Sequence, residues 1–219
     1  MQTKTIGRVS VLLPDLDPRD LDAVTEQSDD LHEADIANAS WARARLDELR
    51  WHGSRLVGVD LGESVWEGGR VFGCELDRAD LSGAELSGVT IERCALSGCK
   101  FTGARLSDVT LKDVLFEGCR FDYASLRRVT AAGAVAFVDC TLTSATLAAC
   151  RLPAVALRSC KLTGAELDGC HLRGADLRGN ELSGLKASLL NLAGVTLDSD
   201  QLSELADLAV TELGITVDR

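Results

Sequence analysis

Cys74-Glu-Leu-Asp-Arg-Ala-Asp-Leu-Ser-Gly-Ala-Glu-Leu-Ser-Gly88 is one five-residue pattern written three times. Each copy has a small apolar residue (Cys74, Ala79, Ala84), then a large one two places on (Leu76, Leu81, Leu86). Polar residues flank them, and Gly83 and Gly88 close the second and third copies. Stepping outward by five keeps the pattern. The large position reads Ile91, Leu96, Phe101, Leu106, Leu111, Phe116, Phe121 and Leu126 going forward. Going back it reads Val71, Trp66, Leu61, Leu56, Trp51, Leu46, Trp41 and Ile36. After Ala131 the next centre is Phe137, six residues on, and Leu142 to Leu182 then follow in fives. One extra residue within 132–134 reads as a bulge at a corner.

A period of five is neither the 3.6 of a helix nor the 2 of a strand. Two apolar residues in every five, with glycine at the end, describe a chain that turns after each pentad. Four turns close a square coil of about twenty residues, and such coils stack through main-chain hydrogen bonds at about 4.8 Å. Segments such as Ala79-Asp-Leu-Ser-Gly83, Ala165-Glu-Leu-Asp-Gly169 and Ala175-Asp-Leu-Arg-Gly179 resemble the A-(D/N)-L-X-X unit of pentapeptide-repeat proteins. That resemblance implies an all-β solenoid, a right-handed quadrilateral β-helix. About eight coils at ~4.8 Å make a rod of roughly 40 Å. The reading divides the chain into an N-terminal cap (1–33), the β-helix (34–199) and a C-terminal segment (200–219).

All eight cysteines fall in the small column, in pairs twenty apart such as Cys74/Cys94 and Cys150/Cys170. They read as small apolar fillers of a ladder. Stacked disulfides are the alternative, and no pair has zinc-ligand spacing. His32, His52 and His171 are scattered, and a straight rod offers no concave pocket, so the expectation is a protein that is not an enzyme and holds no metal or cofactor. Trp41, Trp51 and Trp66 crowd the first coils. They are expected to plug that end of the tube in widened or irregular coils, unless one of them points outward.

Neither a secretory leader nor a stretch of ~20 apolar residues is read from the sequence, so a cytoplasmic location is expected and a membrane partner is not. The formal charge of −11 argues against direct binding to nucleic acid. It is not spread evenly. Residues 41–197 hold nineteen acidic and nineteen basic residues, residues 1–40 nine and three, and residues 198–219 six and one. One face of the rod reads as mildly basic, with Arg50, Arg70, Arg151 and Arg173.

At the N-terminus, Ile6–Leu13 reads as a strand and Asp17–Val24 as a short helical turn with Pro18 near its start. At the other end, Asp198-Ser-Asp200 offers N-caps and Gly214 a stop, with Ile215–Val217 a short strand beyond. The apolar residues Leu202, Leu205, Ala206, Leu208, Ala209 and Leu213 make this helix suited to cap the last coil. The quinolone-resistance members of the family, the Qnr and MfpA types, are similar here. That resemblance implies a homodimer through these residues, and a DNA-mimicking rod that binds DNA gyrase or a related topoisomerase and modulates it or protects it from quinolone-type drugs. Two rods end to end would span roughly 80 Å, comparable to about 24 base pairs. With a neutral body, the contact is expected at the acidic centre of such a dimer: Asp198, Asp200, Glu204, Asp207 and Glu212. An interaction scaffold for some other partner is the alternative reading.

Overall fold

The computed structural model describes residues 2–216 and shows a β-solenoid of about eight four-sided coils, followed by one helix. From Asp30 onward, strand residues pair in parallel with those twenty positions on: Leu86 with Leu106, Leu106 with Leu126, Leu96 with Phe116. The step becomes twenty-one once, where Val114 pairs with Val135 and Leu126 with Leu147. The extra residue is absorbed at Ala132–Ala134. There the Ala132 N–H donates to Leu111 O, and Ala134 O accepts from Val114 N–H.

The large and small columns fill one continuous interior, which runs from Leu31 to Leu192. Outside the bulge at 132–134, the residue two places after each centre from Ile36 to Leu182 turns the corner with φ between +50 and +82°. Glycine takes many of these positions, but Glu63, Arg78, Asp108, Ala149 and others hold the same conformation. Left-handed backbone costs an L-residue roughly 1–2 kcal/mol. The stacked coil supplies the compensating bonds: the Arg78 N–H donates to Ser97 O, and the Asp108 N–H to Arg127 O.

All three indoles point inward and are buried, so none is the outward-facing exception. Their rings meet edge to face, Trp41 on Trp51 and Trp51 on Trp66. Each N–H finds an acceptor: Thr25 O, Ser28 O and Ser64 Oγ respectively. Two of those acceptors lie in the loop that closes the N-terminal end, so the indoles plug the tube and anchor its cover. The coils here are irregular as well. Leu49 fills a small-column slot, and Gly69, directly above it, has φ +89° and no room for a Cβ against the Leu49 backbone. All eight cysteines are free and buried. Because the register gains a residue between them, Cys119 stacks under Cys140, and Cys99, Cys119, Cys140 and Cys160 share one column. Each donates its thiol to main-chain carbonyls, as Cys119 does to Leu96 O.

Residues 2–33 do two things. Strands β1 (Gln2–Ile6) and β2 (Val9–Leu13) form an antiparallel hairpin, so Ile6–Leu13 is not one strand; Gly7, at φ +58°, makes the turn. This hairpin lies along the side of the rod, not over its end. The Asp17–Val24 stretch is not helical beyond a single 3-10 turn at Pro18–Asp20. It continues as β3 (Asp22–Ala23), which pairs with β4 (Ala34–Ala37) and begins the first coil. No helix among the described residues is long and apolar enough to cross a membrane.

Candidate functional site at the C-terminal end

Beyond the last coil, Ser188 caps a 3-10 turn over Leu189–Leu192. Asp198 and Gln201 form a reciprocal capping box, and α1 (Leu202–Leu213) follows, ending at Gly214 in the left-handed conformation. Gln201 is buried and donates its amide to Leu177 O and Asn180 O, which ties the helix start to the solenoid.

Helical spacing gives α1 two apolar stripes. Leu205 and Leu208 pack on the solenoid core. Leu202, Ala206 and Leu213 form the neighbouring stripe, about a third of a turn round, and are exposed, with Ala209 half-buried between the stripes. The six residues expected to form one interface are therefore divided: Leu205 and Leu208 are used within the chain. Exposure is concentrated here. Of five large apolar side chains left in water among the described residues, four sit at this end: Leu190 at 84%, Leu202 at 59%, Leu213 at 63% and Ile215 at 49%. Ile215 and Thr216 form no strand, and Val217 lies outside the described residues.

The acidic residues divide in the same way. Within the rod, the Leu162 N–H donates to Glu181 O of the next coil. At the same position one coil later there is no next coil, and Glu204 Oε2 accepts from the Leu182 N–H at 3.1 Å. Glu212 likewise takes the Leu189 N–H at 2.6 Å and the Ser188 hydroxyl at 2.7 Å. Both carboxylates replace main-chain carbonyls at the open edge of the sheet. The Asp198 N–H donates to Gln201 Oε1 at 2.8 Å, and the Asp198 side chain is taken up in the capping box. Asp200 and Asp207 are exposed, and the Asp200 carboxylate accepts from the Ser199 hydroxyl at 3.3 Å. Sequence reasoning read five equivalent carboxylates because a capping glutamate and a free one look alike until the coil edge is placed.

The body of the rod shows why its charge cancels. Lys100 meets Asp80 at 2.8 Å, Arg128 meets Asp108 at 2.6 Å, Lys186 meets Glu166 at 2.6 Å, and Arg105 pairs with Glu85. Each pair is one coil apart on one face. On the face read as basic, Arg50 pairs with Asp30, and Arg70 shares Glu92 with Lys112. The guanidinium and ammonium groups around Glu92, Lys112 foremost, hold its carboxyl below the usual range.

Sequence reasoning missed one feature altogether. The outward position before the centre is polar or charged in most pentads. In one column it reads Ala95, Leu115, Ala136, Ala156, and the hairpin covers it. The signal is visible only at a spacing of twenty that steps to twenty-one across the bulge.

Comparison with known proteins agrees with this architecture. A family model described as pentapeptide repeats (8 copies) matches residues 73–113, 140–179 and 156–194, and a second, pentapeptide repeats (9 copies), matches 96–141. Together they run unbroken from 73 to 194. No curated protein matches. Among solved structures, trypsin-treated QnrB1, a plasmid-mediated fluoroquinolone resistance protein, is 20% identical over 87% of this chain and 100% of that one, with a TM-score of 0.47. HetL, a pentapeptide repeat protein involved in heterocyst differentiation regulation in the cyanobacterium Nostoc, is 22% identical over 78% and 81%, with a TM-score of 0.25. A pentapeptide repeat protein of the Arabidopsis thaliana thylakoid lumen is 19% identical over 71% and 77%, with a TM-score of 0.26. Repeats in register over more than half the length, on a four-sided solenoid, leave one conclusion: the chain belongs to the pentapeptide-repeat family.

Proposed function

We propose that the protein is a non-catalytic binding rod that pairs end to end through α1 and acts on a DNA-handling enzyme of the gyrase type. The observation that carries this reading is the gathering of Leu190, Leu202, Leu213 and Ile215 in water at one end, beside Asp200 and Asp207. Exposed apolar surface of this kind marks an interface. A two-fold arrangement buries these side chains against their copies and doubles the acidic pair at the centre of a rod of roughly 80 Å. The resemblance to the quinolone-resistance members of the family implies both pairing through the C-terminal end and binding to gyrase.

The ion-paired body supports a narrower contact than full DNA mimicry. A row of unpaired carboxylates is what replaces phosphates on a basic saddle. Asp80, Glu85 and Asp108 are already matched to bases one coil on, so the end carries the contact. The same observation favours a second reading, a scaffold whose partner is some other protein.

A supercoiling assay with purified gyrase, titrated with this protein with and without a fluoroquinolone, separates the two. Inhibition or drug protection that is lost when Asp200 and Asp207 are reversed to lysine supports the gyrase reading. Absence of either effect at tens of micromolar leaves the scaffold reading. Sedimentation tests the pairing: Leu202→Glu with Leu213→Glu is expected to give a monomer.

A further inference from the structure

The hairpin β1–β2 takes no part in closing the coils. Its backbone bonds run between its own two strands, Gln2 opposite Leu13 through Ile6 opposite Val9. One side of it, Ile6, Val9, Val11 and Leu13, is buried against Ala95, Leu115, Ala136 and Ala156. Those four belong to successive coils, so the hairpin runs along the rod axis across the coil stack. The outer strand, Gln2–Thr5, is exposed throughout. One ion pair fastens it to the rod, Lys4 to Glu117 at 2.8 Å, and the turn passes close to Asp176, so that a Cβ added at Gly7 would fall 2.5 Å from its Oδ2. The link to the first coil, Pro14–Leu21, contains one 3-10 turn.

Two physical facts bear on this arrangement. An isolated two-stranded hairpin is at best marginally stable in water, so this one is ordered by the face beneath it. The solenoid has the converse property: its coil-to-coil bonds are complete without the hairpin, and only its outer apolar column needs the cover. Units with few bonds to the rest of a fold open separately and below the global unfolding free energy.

We propose that the hairpin is a detachable strap, which swings open about Pro14–Leu21 while every coil stays folded and so unmasks an apolar stripe along one side of the rod. Closed, the rod shows polar faces along its length and apolar surface at its C-terminal end. Open, it gains a second apolar surface, on the side and independent of α1.

Hydrogen exchange on the full chain tests this. In the wild type, amides of Val9–Leu13 are expected to exchange at least about tenfold faster than those of Thr110–Glu117 and Val135–Val138. Val11→Asp, which places a charge at the buried centre of the strap, is expected to bring residues 2–13 to free-chain rates. It should leave the protection of those coil strands unchanged and increase binding of an apolar fluorescent dye several-fold. Ala136→Asp, made from the rod side, should do the same to the strap. Exchange of strap and coils as one unit in the wild type overturns the proposal, as does loss of coil protection in Val11→Asp, or a released strap with no gain in dye binding.

Discussion

Leu49 and Gly69 share one interior column, one coil apart, and neither obeys the small-residue rule alone. Gly69 stacks on Leu49 at φ +89°, a conformation in which an added Cβ would run into the Leu49 backbone. Gly69→Ala is therefore expected to cost about 3 kcal/mol, read by denaturant unfolding, because a Cβ there overlaps backbone that is fixed by strand pairing. The same substitution at half-buried Gly103, where nothing lies within 4 Å of an added Cβ, meets only the cost of its left-handed φ of +67°. The residue scale is also where the sequence is most legible. The two columns, the inward indoles and the thiol ladder all follow from a period of five. The Leu49–Gly69 exchange does not, because it appears only when position 49 is set beside position 69.

Asp176 shows how one carboxylate is tuned by its place. The Arg178 side chain, then its backbone N–H and the Arg158 guanidinium, outweigh burial and hold its pKa at about 2. An unfolded aspartate titrates at about 3.9. A carboxyl lowered in the folded state contributes stability above its unfolded value and loses it as pH falls toward the folded one. The contribution is thus present above about pH 4 and lost toward pH 2. Asp176→Asn should flatten the fall in thermal midpoint over that window.

At the scale of elements, α1 is a stopper before it is an interface. Losing the Glu204 or Glu212 carboxylate leaves a coil-edge N–H without its acceptor. Glu204→Ala and Glu212→Ala are each expected to cost about 1–2 kcal/mol. Asp200→Ala and Asp207→Ala should lie within about 0.5 kcal/mol of wild type. Equal losses for all four, in chemical unfolding, would show that the division between capping and free acids is wrong. The helix itself was legible from its caps and periodicity. Which stripe meets the rod was not, since Leu202–Ala206–Leu213 and Leu205–Leu208 are equally apolar as sequence. The hairpin was half legible: its apolar residues read as strand, but Gly7-Arg8 as a turn and the side of the rod as its seat depend on a column that crosses the bulge.

Over the whole molecule the interior is filled unevenly. The N-terminal coils hold three indoles, and the middle holds Phe101, Phe116, Phe121 and Phe137 in stacked and edge-to-face contact. From Leu142 to Leu182 the centre is leucine alone, and an apolar cavity of about 30 Å³ remains, lined by Leu147, Leu162, Leu167 and their neighbours. At about 24 cal/mol per Å³ of void, filling it is worth about 0.7 kcal/mol. Leu162→Phe is accordingly expected to raise the thermal midpoint by a degree or two, and a fall would place the void elsewhere.

The two glutamates that occupy the open edge have a further meaning when the solenoid is regarded as a polymer. Each coil is a template for the next, with the same strand spacing that amyloid uses, and at the C-terminal edge carboxylates take the seats of incoming carbonyls. Glu204 and Glu212 are chain terminators. With both changed to alanine, the last coil becomes a living end, able to recruit strands from other molecules. The double variant should seed fibres, visible by electron microscopy, under conditions in which the wild type stays a discrete particle.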